Sequence, residues 1–325
     1  MKRIVSIFLC FIMIMSTFVY YPKEVLGDIV DLAGRWINNT EEPSIDVENK
    51  EILIDTAGEL GWIAYQVNRN WNEYKGFRGW TIKLTSDIDL SYIGHRYYWQ
   101  PIGIFREKPF CGTFDGQGHE IIDMDIDEGN RYQSGGSWID PEYSTSPYSN
   151  IGLFGTVDNG VLKNFTVDGE IDSKVKAIRQ TDMGIGGVAG KVRNNSLLLN
   201  VGSRVNINVE VDTLLDIRIS IGGLVGELGV TKNISGDVFC PKIKNCYAYY
   251  DEEINFTGDK DKCFASDINI TSLTGLTMRT SSISIKPGDD IESIERVLYE
   301  MKDTALLENC YAVENSFSMK NFDNI

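Results

Sequence analysis

The sequence predicts an all-β fold, a parallel β-helix of stacked short strands with one amphipathic helix across its amino-terminal end. Three observations lead there. Glycine-rich segments recur as Ile151-Gly-Leu-Phe-Gly155, Ile185-Gly-Gly-Val-Ala-Gly190 and Ile221-Gly-Gly-Leu-Val-Gly226, their last glycines 35 and 36 residues apart. Such a period marks stacked units, each too small to bury its own apolar face. Between the glycines the chain alternates, as in Val205-Asn-Ile-Asn-Val-Glu-Val211, with β-branched residues on one side. The long Ala/Leu-rich stretches of helical period that a helical solenoid needs are absent there.

From the amino end, Lys2 and Arg3 precede an uncharged run from Ile4 to Tyr21, then Pro22, Lys23 and Glu24. That is the order of a secretory signal, and Val25-Leu26-Gly27 offers a small-residue exit. Residues 1–27 therefore read as a signal peptide cleaved before Asp28, and 28–325 as a single domain. The run of 18 residues could also just span a bilayer as an uncleaved anchor, but the exit favours cleavage. Cys10 lacks the small residues of a lipobox. A second long apolar segment is missing, so membrane insertion is not expected after cleavage.

Thr56-Ala-Gly-Glu59 is a capping box, and Leu60, Ile63, Ala64, Val67 and Trp71 recur on one face behind it. A helix over about 56–71 is expected, covering the first turn of the stack, whose backbone would otherwise be unpaired. Each glycine segment has an apolar companion downstream: Val161-Leu-Lys-Asn164-Phe-Thr-Val167, Leu197-Leu-Leu-Asn200-Val201 and Ile243-Lys-Asn245-Cys-Tyr-Ala248, echoed at Glu308-Asn309-Cys-Tyr-Ala312. A second helical pattern over about 289–302 (Ile291, Ile294, Val297, Leu298, Met301) is either an inserted arm or part of the far end.

The full chain has 31 Lys and Arg against 47 Asp and Glu, a net charge of −16. Without its first 27 residues the balance is 28 against 46, or −18. Such a surface repels phosphate backbones, which argues against nucleic acid and anionic lipid as partners. Five cysteines remain after cleavage: Cys111, Cys240, Cys246, Cys263 and Cys310. An odd number with no CxxC gives neither a full disulfide framework nor a zinc ribbon. One pair among Cys240, Cys246 and Cys263 is open; unpaired buried thiols are the preferred reading.

The run Gly79-Trp-Thr-Ile-Lys-Leu-Thr-Ser-Asp-Ile-Asp-Leu90, then Trp99-Gln-Pro-Ile-Gly103 and Phe110-Cys-Gly-Thr-Phe-Asp-Gly-Gln-Gly-His119, leads into the glycine repeats. Together, over roughly Ile52 to Ala248, they resemble the GLUG-repeat region of bacterial secreted and surface proteins, including segments of immunoglobulin A1 proteases. Gly223-Leu224-Val225-Gly226 matches the name-giving motif and Gly187-Val-Ala-Gly190 is a looser copy. The resemblance implies a right-handed β-helix outside the cell, used as a stalk, adhesive surface or accessory module; it does not imply a catalytic activity.

Several clusters suggest chemistry. His119-Glu120-Ile-Ile-Asp123 mimics a zinc-protease motif, but on a strand positions 119 and 123 stand about 13 Å apart. With His95 and His119 the only histidines, no transition-metal site is expected. Asp123, Asp125 and Asp127 alternate with Met124 and Ile126, which predicts three outward carboxylates and weak Ca²⁺ binding at most. Asp87 and Asp89 repeat the pattern. Ile283-Ser-Ile-Lys-Pro-Gly-Asp-Asp290 echoes pectin-cleaving hydrolases, without the Gly-His-Gly they need. The insertion 129–150 carries Tyr132, Trp138, Tyr143 and Tyr148 amid Gly, Ser and Pro. These rings either form a recognition surface or fold back as a local mini-core. Trp99 is expected in the core.

Two function classes follow. One is a non-catalytic extracellular or cell-surface β-helix module for adhesion or glycan or protein binding, a monomer or part of a longer surface protein. The other is a polysaccharide-acting lyase or glycoside hydrolase using carboxylates that meet across the stack. No catalytic residue, cofactor or metal is assigned. The carboxylates meet only through the fold, so sequence order cannot separate the classes. Secreted material is expected to start at Asp28; an intact Met1 end in its mass spectrum contradicts the cleavage site.

Overall fold

The computed structural model describes residues 40–91, 99–127, 150–175, 182–229, 231–232, 238–249, 254–271, 307–312 and 317–320. The signal segment 1–27, loop residues 129–149 and the helical pattern at 289–302 lie outside the described residues. The chain is mostly β, and its strands pair largely in parallel.

The first part comprises β1 (Ser44–Asp46), β2 (Glu51–Ile54), α1 (Ala57–Asn68), the one-turn α2 (Trp71–Tyr74), β3 (Thr81–Leu84), β4 (Ile88–Asp89), β5 (Thr113–Asp115) and β6 (Glu120–Asp127). The glycine-repeat part follows with β7 (Asn150–Ile151), β8 (Phe154–Asp158), β9 (Val161–Val175), β10 (Asp182–Gly186), β11 (Ala189–Arg193), β12 (Leu197–Gly222) and β13 (Val225–Gly229). The last part holds β14 (Thr231–Lys232), β15 (Val238–Phe239), β16 (Lys242–Lys244), β17 (Tyr247–Ala248), β18 (Ile254–Thr271), β19 (Leu307–Glu308), β20 (Tyr311–Ala312) and β21 (Phe317–Lys320).

Register explains why these segments are strands. In one column Ile52, Ile82, Phe114, Leu162, Leu198 and Ile243 stack in turn, all fully buried. In a second, Ile88, Ile121, Val167, Ser203 and Ala248 follow one another. The glycine repeats make two more, Ile151–Ile185–Ile221 and Phe154–Ala189–Val225. Each apolar residue thus packs on its counterpart one strand away, and inner positions alternate with outer ones. Val205, Ile207 and Val209 are buried as the period-two pattern requires. Phe110, Phe154, Phe114 and Phe165 interlock through the core, with successive ring centroids 5.1, 5.4 and 5.2 Å apart.

The repeat glycines sit where two columns approach. A Cβ on Gly190 would lie 2.3 Å from the Ile151 amide, and one on Gly226 2.2 Å from that of Ile185. The second apolar motif of each repeat ends at a left-handed asparagine: Asn164, Asn200, Asn245 and Asn309 have φ of 58°, 55°, 54° and 53°. Asparagine tolerates that conformation better than most residues. The four side chains form a hydrogen-bonded ladder. Asn200 donates to Asn164 at 2.9 Å, Asn245 to Asn200 at 3.1 Å and Asn309 to Asn245 at 3.2 Å. Asn164 donates in turn to Asp115 at 3.0 Å. Burial would lift the Asp115 carboxyl, but hydrogen bonds from Asn164, Lys163 and the Gln117 amide hold it below the usual carboxylate value.

Two expectations are adjusted. Parallel pairing begins at Glu51, because β2 pairs β3, so α1 is the crossover between the first two stacked strands rather than a segment ahead of them. The helix carries the capping box, Thr56 accepting from the Glu59 amide and Glu59 accepting from the Thr56 amide. It ends at Asn68 rather than near 71, and Trp71 starts the separate turn α2. Asn68 is the reason. Its fully buried side chain accepts from the Gly103 and Ile104 amides at 2.9 and 3.1 Å and donates to the Pro101 carbonyl at 2.9 Å. That anchors the helix end to the segment containing Trp99, itself buried with its Nε1 donating to the Leu153 carbonyl. Asn68→Ala strands three buried backbone groups and should cost about 3 kcal/mol, read as a lower urea midpoint.

Candidate ligand-binding face

Outer positions of β6, β9, β12, β17 and β20 meet on one face. Glu120, Thr166, Gly202, Tyr247 and Tyr311 share one register position across these five strands. Asp168 and Arg204 are partners at the next outward position. Farther along lie Glu170 beside Asp125 and Asp172 beside Asp127. The inward neighbours Val167, Val205 and Ile171 are buried, so alternation alone turns the polar residues out.

Arg204 organises this face. Its Nη2 donates to Glu120 Oε2 at 2.7 Å, two strands away, and its Nε lies 3.3 Å from Asp168 Oδ2. The hydrogen bond to Glu120 and the two carboxylate charges raise the Arg204 pKa against the opposing effect of burial. One cation therefore compensates two carboxylates drawn from different strands. Side-chain exposures of 34%, 42% and 44% for Arg204, Glu120 and Asp168 leave the group in contact with solvent, so its contribution to stability is small. Nearby, Asn208 donates to both Glu170 and Asp172, at 3.1 and 2.9 Å.

Tyrosines flank that cluster. Tyr247 lies across Gly202, since a Cβ there would meet its ring at 2.3 Å, and its hydroxyl reaches Thr166 Oγ1 at 3.1 Å. Tyr247, Tyr249 and Tyr311 are 38%, 49% and 71% exposed, an unusual display of ring surface. Such rings offer an apolar face with a polar tip, suited to sugar rings or a partner's side chains. A second polar cluster is internal. Lys191 and Glu227 pair at 2.5 Å with side chains 10% and 5% exposed, at the register position of Thr156. It pins β11 against β13 rather than facing a ligand.

The expected site residues fall differently. Tyr132, Trp138, Tyr143 and Tyr148 lie outside the described residues. Asp125 is exposed, with Met124 and Ile126 buried beside it, as expected. Asp123 is exposed too, but it takes a left-handed φ of 56° at a register shift between Ile121 and Met124, which breaks strict alternation between it and Asp125; the side chain of Asp127 lies outside the described residues. The shift arises at Gly169, where the Met124 backbone fills the space of a Cβ. Among the described residues no three His, Cys, Asp or Glu converge as metal ligands. His119 Nδ1 lies 3.1 Å from Asp87, which also accepts from the Glu120 amide. Asp89 caps the turn at Ser91. The Arg204 group was missed, although the 36-residue period does place Asp168 beside Arg204.

No protein-family model matches the chain, and no curated protein sequence matches it. Among solved structures it is similar to a Bacteroides ovatus protein provisionally named an immunoglobulin A1 protease. The identity is 14% over 88% of this chain and 82% of the other, with a TM-score of 0.35. No described helix is long and apolar enough to cross a membrane.

Gly202→Ala tests the face directly. The new methyl displaces the flexible Tyr247 ring rather than backbone, so the fold should hold, with a loss of about 1 kcal/mol or less. Tyr247 should then be nitrated faster by tetranitromethane than in the parent chain.

Proposed function

We propose that this chain is a non-catalytic binding module outside the cell, secreted or held at the surface, as a monomer or as part of a longer surface protein. In this reading its parallel columns wind into a right-handed β-helix of GLUG-type repeats, with α1 across the amino-terminal end. The repeat glycines in register, and the short offsets of 35 and 36 residues between the β8, β11 and β13 partners, support that winding. The module takes a glycan or a partner protein on the tyrosine face. The carrying observation is the exposed set Tyr247, Tyr249 and Tyr311 beside the charge-compensated Arg204 cluster. The aromatic loop 129–150 with Tyr132, Trp138, Tyr143 and Tyr148 is the second binding element of the proposal, and Asp123, Asp125 and Asp127 hold at most weak calcium.

One observation favours the enzymatic reading: Glu120, Asp168, Arg204 and Tyr247 meet across strands, as a lyase or glycoside hydrolase acting on polysaccharide needs. The hydrogen bonding favours binding over chemistry. Both carboxylates already face the guanidinium, and the Tyr247 hydroxyl is engaged by Thr166. A catalytic acid, base and stabiliser would instead point at an open substrate position.

The purified chain is applied to a glycan array and to soluble polysaccharides with a reducing-end assay. Binding without turnover is expected. Tyr247→Ala and Tyr311→Ala should each weaken it by up to about tenfold, with melting temperatures within about 2 °C of the parent. Binding lost only in Trp138→Ala moves the site to the loop. Turnover that disappears in Glu120→Gln establishes the enzyme reading instead.

A further inference from the structure

Two cysteines occupy one register position on neighbouring strands. The pairs Lys244–Glu308, Tyr247–Tyr311 and Ala248–Ala312 bracket Cys246 and Cys310, and the Tyr311 amide donates to the Cys246 carbonyl at 3.0 Å. Parallel neighbours stand about 4.8 Å apart, within the span a disulfide bridges between α-carbons. Both are free thiols in the structure: Cys246 Sγ donates to the Lys244 carbonyl at 3.2 Å, and Cys310 Sγ reaches the Ile243 and Glu308 carbonyls at 3.4 and 3.3 Å. Cys246 is fully buried in the core, whereas Cys310 is partly open.

We propose that Cys246 and Cys310 form a disulfide that ties β19 and β20 onto the preceding strands. The bridge closes a 64-residue loop, the longest sequence offset between paired strands in the described stack. A link of that length restricts the unfolded chain strongly. It acts where it is most needed, because β19 and β20 have described neighbours on one side only and end strands fray first. The bridge does not rest on what the tyrosine face binds, although it would also hold Tyr311 beside Tyr247.

The chemistry is thiol–disulfide exchange with a low-molecular-weight disulfide such as oxidised glutathione. The Cys310 thiolate attacks one sulfur of the reagent and expels a glutathione thiolate, giving a mixed disulfide. The Cys246 thiol loses its proton to solvent, attacks the Cys310 sulfur and expels the second glutathione. The protein loses two protons and two electrons, and one reagent disulfide becomes two thiols. The order follows from the environment. A hydrogen bond from Cys246 lowers the Cys310 pKa to about 6, whereas that pairing and burial push Cys246 upward. Cys111 and Cys240 are placed differently. Cys111 is buried and receives the Arg78 guanidinium at 3.7 Å, and Cys240 donates to the Pro241 carbonyl.

The full chain, purified without reductant, is equilibrated with a mixture of oxidised and reduced glutathione, alkylated and mapped as unreduced peptides. The expected product joins the Cys246 and Cys310 peptides. Hydrogen exchange across 307–312 should slow at least about tenfold against the reduced chain, with α1 unchanged. Cys310→Ser and, independently, Cys246→Ala should abolish that difference. Separate alkylation of both cysteines, a bridge from Cys246 to Cys240 or Cys263, glutathione left on Cys310 alone, or equal exchange in both redox states each overturns the proposal.

Discussion

In-register parallel stacking is the constraint on which the rest of this molecule depends. Neighbouring strands stand about 4.8 Å apart, so each side chain meets its own counterpart on the next strand. A column must therefore be composed of residues that tolerate copies of themselves. Aliphatic and aromatic residues do so by packing, as from Ile52 to Ile243. Asparagines do so because one amide both donates and accepts, as in the ladder from Asn164 to Asn309. Carboxylates repel their copies, and Asp115 is followed in register by Lys163, which pairs with it at 2.9 Å, while Asn164 also donates to it.

The same rule separates scaffold from surface. Inner positions are closed to variation by complete burial. Outer positions need only avoid repelling the strand above. Asp125 and Asp127 are register partners of Glu170 and Asp172, but on the next strand a cation or an amide follows the acids: Arg204 after Asp168, and Asn206 and Asn208 after Glu170 and Asp172. The candidate face thus grows out of charge compensation between strands, and its tyrosines stand where the acidic rows end. Gly202 belongs to this arrangement as well, leaving room for the Tyr247 ring to lie over its strand.

Much of this is legible in the sequence, and the boundary is physical. The glycine repeats, the alternation of Val205 to Val209 and the capping box at Thr56 are local patterns whose spacing survives in the fold. Asn164, Asn200, Asn245 and Asn309 were visible as recurrent letters, but their left-handed φ and mutual hydrogen bonds belong to the stack. Offsets between partners are less legible. Between parallel strands they run from 30 residues for Glu51 and Thr81, through 36 for Val161 and Leu197 and 45 for Leu197 and Lys242, to 64 for Ile243 and Leu307. Loop closure grows only slowly with length, so insertions between strands cost little and erase the period. Glu120 and Arg204, 84 residues apart, meet only once every intervening register is known.

Charge also narrows what such a face receives. With a net charge of −16 the chain presents a repulsive field to polyuronates and sulfated polymers, and Arg204, a cation on this face, is already shared by two carboxylates. Drawing it toward an anionic ligand would leave Glu120 and Asp168 without their shared cation, a small cost at this solvent exposure but one that opposes the new contact. A neutral sugar ring asks for no such exchange. It can cover the exposed faces of Tyr247 and Tyr311 while its hydroxyls meet the half-exposed carboxylates as donors. In the proposed binding role, the Arg204 pairing on this acidic surface therefore favours neutral over acidic partners.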